Sequence, residues 1–124
     1  MSHPEFKCAV VVQFLEEQSN PSKHDYAFAY TVTIVNSGDV PAQLIARHWV
    51  ITDAMDRRQE VRGLGVVGHQ PMLKPGERFE YTSWTHLETP HGLMQGTYFC
   101  ITEDAHWFEA PIEPFTLARS QSLH

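Results

Sequence analysis

Apolar and polar residues alternate with a period of two through much of the chain, which is the mark of half-buried β-strands. Tyr26, Phe28, Tyr30, Val32 and Ile34 share one face, with Ala27, Ala29, Thr31 and Thr33 on the other, so Tyr26 to Asn36 is predicted as a strand. Asn36-Ser37-Gly38-Asp39 reads as a tight reversal, because Asn and Gly tolerate the left-handed conformation, and it predicts a hairpin to the segment Val40 to Asp53. In that segment Leu44, Ala46, His48 and Val50 oppose Ile45, Arg47, Trp49 and Ile51, with apolar groups on both faces. A long strand carrying a bulge accommodates such a pattern. Cys8 to Leu15 is short and β-branched and predicts a buried strand, followed by a polar loop from Glu16 to Asp25.

Further along, the turn Asp53-Ala54-Met55-Asp56 leads to a return strand around Arg58 to Arg62. Leu73-Lys74-Pro75-Gly76-Glu77 is a turn with proline before glycine, feeding a strand through Phe79, Tyr81 and Ser83. Trp84 to Gln95 reads as loop around Thr89-Pro90-His91-Gly92, and Gly96 to Ile101 as the next strand. The last strand, Trp107 to Leu117, contains Pro111 and Pro114 and is therefore expected at a sheet edge or to be bulged. About seven strands without a convincing helix argue an all-β fold, an immunoglobulin-like or fibronectin type III-like β-sandwich. Trp49 is the expected core tryptophan, and Tyr98-x-Cys100 matches the spacing of a tyrosine corner.

With 124 residues the chain is the size of one domain, with an expected core over about residues 8–117 and short flexible tails. Its net charge of -6 gives no basic field for a polyanion, so nucleic acid is not an expected partner. No apolar run approaches the roughly 18 residues of a membrane span, and the first 15 residues lack a signal-peptide pattern, so a cytoplasmic protein without membrane insertion is expected. The two cysteines, Cys8 and Cys100, are too few for a disulfide scaffold and are expected reduced and packed.

Gly63-Leu64-Gly65-Val66-Val67-Gly68-His69-Gln70-Pro71 has the G-x-G-x-x-G spacing of a phosphate-cradling loop. A dinucleotide site needs a helix opening at the last glycine, and Pro71 and Pro75-Gly76 forbid one. A bent connection between strands is the preferred reading. The alternative is an anion nest formed by Gly63, Gly65, Gly68, His69 and Gln70, with Arg47 or Arg62 supplying charge for a small phosphorylated ligand. Of eight histidines, His69, His86 and His91 fall in predicted loops, but neither Cys-x-x-Cys nor His-x-x-x-His occurs, so neither metal nor cofactor is expected. Ser83, His86 and Glu88 are close in sequence without a nucleophile elbow, and Cys100 sits mid-strand among apolar neighbours, so no catalytic residue is expected.

Arg47 beside Trp49 suits either an interface anchor or a cationic stem spread over the core. Trp84, with Pro90 and His91, suits either an exposed partner contact or a lid. Arg47, Trp84 and His91 are the candidate interaction surface. Another protein is the expected partner, and pairing of a free edge across a two-fold axis would give a homodimer.

Four ordered segments, 28–34, 46–53, 65–71 and 89–96, resemble the bacterial ApaG family, and the likeness runs from about Val11 to Leu117. The resemblance implies a fibronectin type III-like fold and a domain that also occurs fused in F-box proteins and in a polymerase-delta-interacting protein. That company implies binding rather than catalysis. It also implies an indirect link to cobalt and magnesium resistance, with divalent metal regulation as a weaker form of the sensor alternative. Trp84, His91 and His69 depart from the residues usual in the family.

Overall fold

The computed structural model describes residues 2–119, so Met1 and the last part of the expected C-terminal tail lie outside the described residues. Eight strands follow in order: β1 (Phe6–Phe14), β2 (Tyr26–Asn36), β3 (Ala42–Asp53), β4 (Arg58–Leu64), β5 (Met72–Leu73), β6 (Arg78–Leu87), β7 (His91–Thr102) and β8 (Trp107–Ala118). They form two antiparallel sheets, a smaller one in the order β1-β2-β6 and a larger one in the order β4-β3-β7-β8, with β5 paired to β3 beyond β4. The β-sandwich expected from the alternation is the observed architecture. The short β5 is the strand that the count of about seven lacks, its two residues being too few for a period to register.

The core lies between the sheets and is built from the inward residues that alternation selects, among them Phe28, Val32 and Ile34 of β2 at 0% exposure. Trp49 is 2% exposed and lies edge-on to Tyr30, Tyr98 and Phe115, with ring centroids 5.6, 6.0 and 6.1 Å away. A bulge in β3 between Leu44 and Ala46 carries Leu44 onto the same inner face as Trp49 and Ile51. This resolves the conflict of two apolar faces. In β8 the register against β7 shifts around Glu113 and Pro114, and the strand occupies an edge.

Four expectations are corrected. The segment from Cys8 read as a buried strand is β1, an edge strand whose alternate residues face solvent, with Val11 72% exposed. Residues 36–39 do not close a hairpin, because β2 and β3 belong to different sheets. The buried Asn36 side chain anchors this crossover, donating Nδ2 to the carbonyls of Val40 and Leu73 and accepting from the Gly38 amide. Trp84 to Gln95 is not a loop: β6 continues to Leu87 and β7 starts at His91. Thr, His, Pro and Gly disguise the alternation there, but pairing with β2 and β3 supplies the backbone hydrogen bonds that make extended structure favourable. Finally, Tyr98 makes no tyrosine corner. Its hydroxyl shares a hydrogen bond with that of Tyr81 across the core.

Burial raises both tyrosines far above the ordinary phenol range, so both stay neutral. Tyr81→Phe leaves the Tyr98 hydroxyl without its core partner and is expected to cost about 1–3 kcal/mol in urea unfolding. The double variant Tyr81→Phe/Tyr98→Phe should cost less than the sum of the single changes, because neither hydroxyl is then stranded. Burial likewise pushes the Cys8 and Cys100 thiols up to about 12, and both cysteines are free.

Candidate functional site

One side of the sandwich is closed and the other is open. On the closed side β1 packs against β8, with Phe6 and Phe108 edge-on at 5.5 Å. On the open side the larger sheet is four strands across and the smaller only three, so β4 and β6 are facing edges with a cleft of about 360 Å³ between them. Tyr30, Trp49 and Met94 form its floor, Gln59 and Val61 one wall, and Ser83 to His86 the other. It continues into a second depression of about 470 Å³ lined by Lys23, Arg57, Arg58 and Glu88, which shares Ile51, Gln59 and His86 with the first.

The backbone at both lips follows from the ladder. In antiparallel pairing, successive residues direct their amide and carbonyl groups alternately toward the partner and away from it. Asn36 donates its amide to the Glu77 carbonyl in the β2–β6 register, so odd-numbered residues of β6 bond to β2. Arg78, Glu80, Thr82, Trp84 and His86 therefore direct theirs outward, along the free edge. The same reasoning from Gly65, whose amide donates to the Ile45 carbonyl, turns Arg58, Glu60, Arg62 and Leu64 outward on β4. Trp84 is 61% exposed on the outer face beside this edge, opposite Ala29.

Arg47 enters from β3 and donates Nη1 to the carbonyls of Leu64 and Gly65, both at 3.0 Å. It joins the cleft to the glycine loop. The close approach leaves no room at Gly63, where a Cβ would lie 2.8 Å from Arg47 Nη1. Gly65 has φ of 65°, and a Cβ there would overlap the His69 carbonyl oxygen. Val66 and His69 exchange amide-to-carbonyl bonds around Val67 and Gly68, whose φ values of 47° and 81° make a primed two-residue turn. Gln70 donates its side-chain amide to the Ile45 carbonyl. The loop thus joins β4 to β5 with its Gly65, Val66 and His69 amides committed to carbonyls, and no helix follows it among the described residues.

Of the expected surface, Arg47 and Trp84 both border the cleft, Trp84 from its outer rim, whereas His91 lies apart in a shallow depression with Pro90, Ala118 and Arg119. Ser83, His86 and Glu88 do not act together: Ser83 stands in the cleft wall, His86 pairs with Asp25 at 2.7 Å and Glu88 with Arg57 at 2.7 Å. His69 packs on Phe79 at 5.6 Å, and among the described residues no three His, Cys, Asp or Glu side chains gather into a metal-binding group. Burial works to raise the Asp53 carboxyl, but hydrogen bonds from the Arg57 and Met55 amides and the Arg57 guanidinium together hold it below the usual carboxylate range. This fixes the turn that shapes the deeper end of the cleft.

Charge is unevenly placed. Lys23, Arg47, Arg57, Arg58, Arg62 and Arg78 lie along the cleft and its lips, six of the nine Lys and Arg residues, beside Asp25, Asp53, Glu60, Glu80 and Glu88. Charges of the two signs nearly cancel there, so the net charge of -6 is carried by the other surfaces. Sequence reasoning missed Tyr30, Gln59, Val61 and Arg58, which are remote in sequence and meet only through sheet packing. It also missed an apolar block on the outer face of the larger sheet, where Leu64, Met72 and Trp107 are 74, 51 and 64% exposed and Phe99 and Ile101 lie between them in register. The parity of Ile101 and Trp107 was its only sequence signal.

This arrangement defines a fibronectin type III-like sandwich with one open, edge-lined cleft. A family model for the ApaG domain matches residues 16–102, and the chain belongs to that family. It is 60% identical over 124 residues, the full length of both chains, to Protein ApaG of Ralstonia nicotianae, and 57% identical to Protein ApaG of Bordetella pertussis over 94% of this chain and 88% of that one. The crystal structure of an ApaA protein from Bordetella pertussis superposes with a TM-score of 0.93 at 54% identity, covering 96% of this chain and 97% of the other.

Proposed function

We propose that the domain is a non-enzymatic protein-interaction module that docks its partner at the cleft between β4 and β6. The observation that carries this reading is the pairing of an exposed Trp84 with an open cleft lined by two unpaired strand edges. Tryptophan and arginine are enriched among the few residues that dominate binding at protein interfaces. Arg47 acts here by holding the glycine loop against β3, so its loss would disturb the cleft as well as any contact.

The test is Trp84→Ala in a capture assay with purified protein on the sensor surface and a cytoplasmic lysate as analyte, the compartment in which we place the protein. Because Trp84 is exposed, the variant should unfold within about 0.5 kcal/mol of wild type. Saturable capture should nevertheless weaken by at least about tenfold, as for a hot spot. Equal capture by both proteins would sink the reading. A link to cobalt or magnesium resistance would then run indirectly, through the partner; no helix among the described residues is long and apolar enough to cross a membrane.

The alternative, a nucleotide or metal sensor at Gly63 to Gly68, is weakened by the committed amides of the loop. Titration with nucleotides or divalent metals should leave the melting temperature unchanged, and a saturable rise would favour the sensor.

A further inference from the structure

We infer that the occupant of the cleft is an extended polypeptide segment that adds to β6 as a fourth strand of the smaller sheet. The inference rests on the interaction reading above and specifies its partner. The larger sheet exceeds the smaller by one strand, so the inner face of β4, with Gln59 and Val61, projects beyond β6. A strand added at the usual spacing of about 4.8 Å from β6 would lie over that face. It would also supply partners to the outward amides and carbonyls of Glu80, Thr82 and Trp84, which have no backbone partner among the described residues. Peptides that add to a free sheet edge gain affinity from these main-chain bonds and specificity from alternate side chains.

The edges on the closed side suit this less well. β8 is broken by Pro111, Pro114 and the register shift, which are devices that blunt an edge, and β1 lies against β8. β6 runs ten residues without proline. The chemistry of the segment follows from the cleft walls. Side chains directed inward would meet Tyr30, Trp49 and Val61, which favours apolar, β-branched residues at alternate positions. At the end beside His86 stand Lys23, which forms no ion pair among the described residues, and Arg58, whose charge already helps to hold the Glu60 carboxyl low. With the protein's net negative charge confined to its other surfaces, this end is complementary to a carboxylate, and the segment should carry an acidic residue there.

The experiment pans a phage-displayed library of random twelve-residue peptides against the whole protein and synthesises the enriched sequences. Four readings are expected. Single N-methylation of the peptide backbone should abolish binding at alternate positions and spare those between. Bound peptide should slow hydrogen exchange at the amides of Glu80, Thr82 and Trp84, while their odd-numbered neighbours, already bonded to β2, change little. Thr82→Pro should weaken binding at least tenfold, since the Thr82 amide points away from β2 and its loss leaves the ladder intact. Trp107→Ala, on the opposite sheet, should leave binding unchanged.

Tolerance of N-methylation at every position overturns strand addition, whatever happens to Thr82→Pro. Protection at Glu60 and Arg62 instead would place the added strand on β4 and overturn it too. Binding lost on Trp107→Ala would move the partner to the outer apolar block. If no peptide is enriched while Trp84-dependent capture from lysate persists, the occupant is a folded surface and only this inference fails. If that capture is absent as well, the interaction reading fails with it.

Discussion

Trp49→Ala is expected to destabilise the domain by about 3–5 kcal/mol, the usual cost of truncating a buried aromatic residue and leaving a cavity. A domain of ordinary stability has only about 5–15 kcal/mol to lose. The indole is 2% exposed and bridges the sheets through Tyr30 of the smaller one and Tyr98 and Phe115 of the larger. Edge-on aromatic pairs add roughly 0.5–1.5 kcal/mol each beyond burial, so the loss should fall toward the upper end of the range. In urea the midpoint should drop while the slope stays constant, which marks a change in stability rather than in the compactness of either state. The same change removes part of the cleft floor, so partner capture should weaken even under conditions where the variant remains folded. A loss below about 1 kcal/mol would contradict the packing described.

The second large effect is expected at Gly65. With alanine, the left-handed backbone costs about 1–3 kcal/mol, and the new Cβ overlaps the His69 carbonyl, so a loss of at least about 3 kcal/mol is expected in the same assay. Gly68→Ala is the control. Its φ of 81° imposes a left-handed conformation, but a Cβ there meets nothing within 4 Å, so only about 1–2 kcal/mol should be lost. The contrast isolates the overlap from the backbone conformation: a far larger loss at Gly65 than at Gly68 marks the close approach of the His69 carbonyl as the feature that requires glycine, and nearly equal losses would contradict it. Displacement of the loop would also remove the carbonyl partners of Arg47, carrying the disturbance into the cleft.

These expectations depend unequally on the sequence. Period-two alternation in residues 26–36 was enough to define β2 and its buried face, because side chains of a strand alternate whatever the strand pairs with. The prolines of residues 107–117 placed β8 at an edge, since proline lacks the donor that a central ladder requires. Pro71 likewise removed the helix that a dinucleotide site needs. The ordered segments that resemble the ApaG family led to the family that comparison with its members establishes.

Other features were decided by tertiary structure. The reversal at Asn36 has the local chemistry of a hairpin, but its side-chain amide is satisfied by Val40 and Leu73, and the chain passes to the other sheet. Residues 84–95 have the composition of a loop and became strand because ladders on β2 and β3 were there to receive them. The cleft is the extreme case. Tyr30, Arg47, Val61 and Trp84 lie on four different strands, and no local pattern connects them. Where the alternation is clear, as in residues 26–36, the sequence by itself determined strand and apolar face, because those depend on one segment and its local geometry. Which strands become neighbours, and which edges stay open, depends on burial shared between segments distant in the chain, so only the tertiary structure decided where the open cleft lies.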